Sequence, residues 1–189
     1  MRHTVLPAAL LAAAVASSHA APFIGIEYSA EEKRATGQSG MSAAASLGYK
    51  AADQAEYSVK AGFSQHALGH GQAAESVEAQ VKKPFFATAA WFPYAAAGVG
   101  EKFSAADHYS YYFVDAGMNV RLTARSSLDV GSHSVNAFDP ARKLYSTRFH
   151  TAMSWRVGGA DSIGLRYSKS YGMTAQEKDA WRVAYTHSF

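Results

Sequence analysis

Apolar and polar residues alternate one by one along nearly the whole chain after residue 20, and clusters of turn-forming residues break the alternation at intervals. That two-residue period is the mark of strands with two unlike faces. Ile24, Ile26 and Tyr28 oppose Gly25, Glu27 and Ser29. Met41 to Tyr49, Ala55 to Phe63 and Val77 to Val81 repeat the pattern, and Ala95, Ala97 and Val99 oppose Tyr94, Ala96, Gly98 and Gly100. In the second half Tyr112 to Leu122 opposes Tyr111 to Arg121, and Leu128 and Val130 oppose Asp129, Gly131 and His133. Phe149 to Val157 opposes Arg148 to Arg156, and Ile163, Leu165 and Tyr167 oppose Ser162, Gly164, Arg166 and Ser168. The last nine residues complete the set: Trp181, Val183, Tyr185 and Phe189 share one face, with Arg182, Thr186 and Ser188 on the other. The pattern predicts ten strands.

Ten strands leave nine connections, and these alternate between two kinds. Ala51 to Gln54, Thr123 to Ser127 and Gly158 to Asp161 are short turns. Glu31 to Ser39, Gln65 to Ala74, Glu101 to His108, Phe138 to Tyr145 and Gly172 to Lys178 are longer and more polar. An even strand number and this asymmetry suit an all-β, antiparallel, up-and-down transmembrane barrel. Lys83 to Phe92 is the weak place. Pro84 cannot donate to a central ladder, so this stretch reads as a turn with frayed strand ends, and a different pairing there would reduce the count to eight.

Composition agrees with a wall that separates two media. Mean hydropathy is only −0.16, yet 13% of the residues are aromatic. Every second residue of a barrel faces a wet interior, so average hydropathy cancels. There is no cysteine, which leaves packing and a closed hydrogen-bond network to supply stability. Met1 to Thr4 carries positive charge, Val5 to Ala16 is apolar apart from Pro7, and Ser17-Ser18-His19-Ala20 ends in small residues. This is the layout of a secretory signal peptide over residues 1–20, cut after Ala20, with a barrel domain over 21–189. It is too short for a spanning helix, which needs about 20 apolar residues. Without Arg2, 17 basic residues face 15 acidic ones, a balance that gives nucleic acid no purchase.

Phe92-Pro93-Tyr94-Ala95-Ala96-Ala97-Gly98-Val99-Gly100 resembles the Pro-Tyr, glycine-rich strand of small porin-like barrels of the outer-membrane protein A and opacity-protein type. The aromatic terminal strand ending in Phe189 is similar to the signal that the barrel-assembly machinery reads in such proteins, through Trp181, Val183, Tyr185 and Phe189. The resemblance implies a bacterial outer-membrane location, contact with lipid and lipopolysaccharide, and a monomer. It implies little about activity, because function sits on sites grafted onto folds.

Charge on the inward face is the candidate chemistry. Glu27, Glu56, Lys60, Glu78, Lys82, Asp115, Arg121 and Asp129 belong to the first seven strands, while Arg148, Arg156, Arg166 and Arg182 belong to the last three. Closing the barrel sets the last strand beside the first, so Arg182 is expected to meet Glu27. Buried charges are normally paired, which predicts an ion-pair network filling a narrow lumen and a structural or narrow-pore role. The alternative use of the same residues is an anion-attracting stripe in a small porin. A surface-loop adhesion module is a second alternative. A hydrolase is a third: a hairpin closing symmetrically about Phe138 to Tyr145 sets positions summing to 283 opposite, which pairs His133 with His150 and Asp129 with Ser154. The spacing His-x-Ser is absent, since Ser134 directly follows His133 and neighbours in a strand point to opposite faces. No enzymatic activity, cofactor or metal is therefore expected. His66 and His70 fall in a predicted loop, and Asp139 to Lys143 reads as a charged tip facing solvent and lipopolysaccharide phosphates.

Overall fold

A computed structural model of the chain describes residues 21–33, 36–66, 73–87, 89–105, 107–142, 144–172 and 178–189. The segment read as a signal peptide, residues 67–70 of the loop holding the histidine pair, and Lys143 of the charged tip lie outside the described residues.

Ten strands close into one antiparallel barrel in which each pairs with its sequence neighbours and the last returns to the first. They are β1 Ala21–Lys33, β2 Gln38–Lys50, β3 Glu56–His66, β4 Ala74–Pro84 and β5 Trp91–Ser104, then β6 His108–Arg121, β7 Ser126–Ala137, β8 Tyr145–Arg156, β9 Asp161–Gly172 and β10 Lys178–Ser188. Closure gives every strand a partner on both sides, which removes the free edges that a flat sheet exposes. The pairs Ala21–Lys50, Lys50–Glu56 and Glu56–Lys82 can be followed through Ala96, Asp115, His133, Arg148, Ser170 and Lys178 back to β1 at Lys33, twelve residues beyond the start. Such a stagger requires strands tilted by about 35–45° to the barrel axis.

Both chain ends described lie at the turn end, where the Phe189 amide donates to the Pro22 carbonyl at 2.9 Å. The turns there are tight. Gln54 takes a positive φ of 67° in the β2–β3 turn, and the Asp53 carboxylate accepts from the Ala55 amide at 3.0 Å. In the stretch 83–92, β4 runs on to Pro84 and β5 starts at Trp91. Pro84 opposes Tyr94 on β5 and lies beyond the start of β3, whose first residue pairs with Lys82, so its missing N–H deprives no neighbour. The eight-strand alternative is thereby excluded.

At the loop end the strands continue well into the segments expected to be loops. β1 runs to Lys33 and β2 starts at Gln38, while β5 runs to Ser104 and β6 starts at His108. The loop between β7 and β8 holds a 3₁₀ turn, Pro140–Arg142. Arg142 donates to both Asp107 carboxylate oxygens at 2.6 and 2.5 Å and to the His108 carbonyl at 3.1 Å. That carboxylate is held below the usual range, first by the hydrogen bond from Arg142. The charged tip is therefore tied down through Arg142 instead of standing free.

The outer surface is apolar through its middle, with Ile26 61% and Val183 52% exposed, and Leu47, Val99, Met118, Val130 and Leu165 also outward. Aromatic rings gather toward both ends of the wall: Tyr49 stacks on Tyr57 with centroids 4.8 Å apart near the turns, and Phe149 meets Tyr171 at 6.1 Å near the loops. An apolar band bounded by aromatics is what a bilayer core with two interfaces selects.

Candidate functional site: the lumen

Alternation sends one residue in two to the lumen, and two unlike halves result. On the side of β5 to β8 the interior is filled. Phe113 is 1% exposed, Tyr94 and His150 are each 4%, and Tyr111 is 7%. Each of these rings lies directly across from a glycine: Phe113 from Gly98, Tyr111 from Gly100, Tyr94 from Gly117, and His150 from Gly131. A Cβ at Gly98 would fall 2.3 Å from the Phe113 ring, and one at Gly100 2.5 Å from the Tyr111 ring. The glycines are required because each ring occupies the space that a Cβ would take. On the other side small inward residues, among them Ser42, Ala44, Ser46, Gly62 and Ser76, leave space. A cavity of about 470 Å³ occupies it, bounded near the turns by Phe23, Glu56 and Thr186 and near the loops by Glu31, Lys102 and Lys178.

A belt of charge runs around the wall of this space. Arg182 on β10 donates to Glu27 on β1 at 3.1 Å. Lys60 on β3 lies 4.0 Å from Glu27 and 2.8 Å from Glu78 on β4, and Tyr111 on β6 donates to Glu78 at 2.7 Å. The run Arg182–Glu27–Lys60–Glu78–Tyr111 therefore ties five strands along the inner wall. Ala44 and Gly100, on the strands between, are small enough for the long side chains to pass over β2 and β5.

The histidines occupy the filled side. The register between β7 and β8 sums to 281, so His133 opposes Arg148, His150 opposes Gly131, and Asp129 opposes Ala152. The expected pairing of His133 with His150 and of Asp129 with Ser154 is corrected by two residues. The backbone of the loop sets the register, with the Ala137 amide donating to the Leu144 carbonyl. A shift of two keeps every side chain on its predicted face. His150 Nε2 lies 2.8 Å from Asp129 Oδ1, and the Tyr94 hydroxyl donates to the same oxygen at 3.1 Å. His133 lies 3.7 Å from Asp115. Acyl transfer by a histidine needs a nucleophile on the ring nitrogen opposite the one held by a carboxylate. His150 Nδ1 is buried without a partner, and Ser154 bonds instead to Ser127 at 2.8 Å. The arrangement anchors the His150 ring through Nε2, beside Asp129 and the Tyr94 hydroxyl, and sets no serine or threonine hydroxyl against Nδ1.

The remaining inward charges spread along the axis. Glu56 stands opposite Lys82 near the turns, and Lys82 lies over the Tyr94 ring at 4.0 Å. Arg121 and Arg156 have inward parity but end their strands at the rim, both exposed. Arg121 donates to the Ala87 carbonyl. Arg166 directly opposes Arg182, and Arg148 donates through Nε to Ser170 at 3.1 Å. Trp181, Val183, Tyr185 and Phe189 are all outward and exposed. The sequence reading of charges passed over Tyr94 and Tyr111, whose signal was an aromatic ring on the polar parity with a glycine on the facing strand.

No protein-family model matches the chain, and no curated protein matches it. Solved structures do. An outer membrane channel from Pseudomonas putida F1 is similar at a TM-score of 0.61 and 10% identity, over 92% of this chain and 97% of that one. The β-domain of the Bordetella autotransporter BrkA is similar at 0.57 and 8%, over 91% and 100%. The translocator domain of the autotransporter NalP from Neisseria meningitidis gives 0.50 and 8%, over 96% and 93%. At these identities the shared property is architecture, and the chain has the fold of the outer-membrane β-barrels.

Proposed function

We propose that this protein is exported by a cleaved leader at residues 1–20, sits as a monomer in the bacterial outer membrane among lipid and lipopolysaccharide, and has a structural or narrow-pore role. The barrel-assembly machinery would read its terminal strand through Trp181, Val183, Tyr185 and Phe189. The lumen holds water but is closed to solutes at mid-height by the charged belt. The observation that carries this reading is the run Arg182–Glu27–Lys60–Glu78–Tyr111, in which each link is an ion pair or hydrogen bond of 4.0 Å or less. Barrels near eight strands are just wide enough to be filled by side chains, and here the aromatic half already fills one side. The tie of Arg142 to Asp107 gives the adhesion alternative less free chain to work with at the β7–β8 tip.

Liposome swelling tests it. Wild-type barrels in vesicles should admit neither small sugars nor amino acids, while the double variant Glu27→Ala, Arg182→Ala should admit them. Wild-type swelling equal to that of the double variant would remove the belt's role.

A further inference from the structure

Cations outnumber their partners on the wall formed by β8, β9, β10 and β1. Two pairs of like charge lie directly across from one another, Arg166 with Arg182 and Lys33 with Lys178. Like charges in directly opposed positions destabilise a sheet, so each pair needs a counter-charge. Arg182 has Glu27 at 3.1 Å and Lys178 has Glu31 at 3.9 Å. Among the described residues Arg148 bonds to a serine, Ser170, and has no carboxylate in ion-pair contact, Glu31 and Glu78 acting on it only from farther off. Arg148 also lines the cavity, as do Lys102 and Lys178 toward the loops, where Glu31 and Glu75 are the carboxylates that line it with them. A guanidinium with its Nε occupied keeps its terminal nitrogens for bidentate work on an oxyanion. The Ser170 hydroxyl fixes the orientation of that fork. Lysines on two further strands supply point charges from the sides.

We propose that the loop-end half of the lumen is a binding site for a small, doubly charged oxyanion of the phosphate type, held by Arg148 with Lys178 and Lys102. This inference rests on the reading of a lumen closed at mid-height, because the belt would be the floor of the site. The ligand is a soluble one: the site lies inside the barrel, where the headgroups against the outer wall do not reach. The anion completes the charge balance of the β8–β10 wall, and the belt beneath it stops onward passage. The chemistry needed is a compact tetrahedral anion, free or carried on a molecule small enough for the loop-end part of a cavity whose full volume is about 470 Å³.

Inorganic phosphate is the probe, added at fixed ionic strength to the refolded barrel in detergent micelles while the unfolding temperature is followed. Phosphate should raise that temperature along a saturable curve, as a ligand that binds only the folded state must, and chloride should not. Arg148→Gln should raise the half-saturating concentration by about tenfold or more, the scale of one charged hydrogen-bonded contact. Lys178→Gln should weaken binding as well, and carries the test if Arg148→Gln does not refold. Lys82→Gln removes a cation from the turn end of the same cavity and should leave the curve unchanged. A linear response shared by chloride, or a saturable one indifferent to Arg148 and Lys178, would overturn the site. Liposome swelling separates this from the closed-lumen reading: swelling by the wild type alongside intact, Arg148-dependent phosphate binding would fell only the floor.

Discussion

At the residue scale, the glycines facing inward rings determine which half of the lumen is solid. Phe113 is nearly inaccessible because Gly98 has no side chain. A Cβ there would meet the Phe113 ring at 2.3 Å and the Ala79 carbonyl at 2.4 Å. Backbone on one side and a packed ring on the other leave little room to yield, so Gly98→Ala should cost about 1–3 kcal/mol, as overpacking does. Urea unfolding in micelles measures it, with Gly159→Ala as the control, since nothing lies within 4 Å of a Cβ at that turn position. Adding Phe113→Leu to Gly98→Ala should recover part of the loss. Equal effects of Gly98→Ala and Gly159→Ala would mean that the ring moves aside freely. This packing was only half legible in the sequence. Alternation places Phe113, Tyr111 and Tyr94 on the inward parity, but which glycine each one covers depends on cross-strand register. Register in turn depends on loop backbone.

At the element scale, the terminal strand and the loop ties each make a claim. Val183 points outward and Thr186 borders the cavity. A cation on the lipid face costs about 2–4 kcal/mol at mid-bilayer, so Val183→Arg should impair assembly, read as loss of the heat-modifiable band on a cold detergent gel. Thr186→Lys, on the wet face, should assemble normally, and equal damage from both would invert the faces assigned to β10. The tie between Asp107 and Arg142 joins the loops on either side of the β6–β7 hairpin. Hydrogen bonding to Arg142 lowers the Asp107 carboxyl below its usual range. A depressed carboxylate adds stability above its unfolded pKa and loses it as pH falls through the folded value. NMR titration should find Asp107 ionising at lower pH in the wild type than in Arg142→Gln. Coincident curves would dissolve the tie. The β7–β8 hairpin shows what elements hide from sequence: symmetry about Phe138 to Tyr145 gave a register sum of 283 where the loop imposes 281. Because two residues is one full strand period, His133 and His150 kept their inward face and changed only their neighbours, Arg148 and Gly131.

At the scale of the whole molecule, a barrel of ten strands decides between plug and pore by what its inner face carries. The faces, the strand number and the meeting of β1 with β10 could be read from alternation, because a closed single-layer wall leaves each residue only two directions to point. The course of the charges could not. Arg121 and Arg156 have the parity of lumen residues and yet end at the rim, since parity fixes direction and not height along the axis. The belt exists because Glu27, Lys60, Glu78 and Arg182 fall close together along that axis, which follows from the stagger of the strands. Replacing Glu27 by Gln should lower the unfolding temperature, since breaking a buried pair costs about 3–5 kcal/mol and water in the cavity reduces that figure here. The most direct test is single-channel recording of the wild-type barrel in planar bilayers at neutral pH and molar salt. The belt predicts a silent membrane, with discrete steps only after Glu27 and Arg182 are both truncated. A wild-type barrel that opens as a stable, ohmic channel would contradict the account.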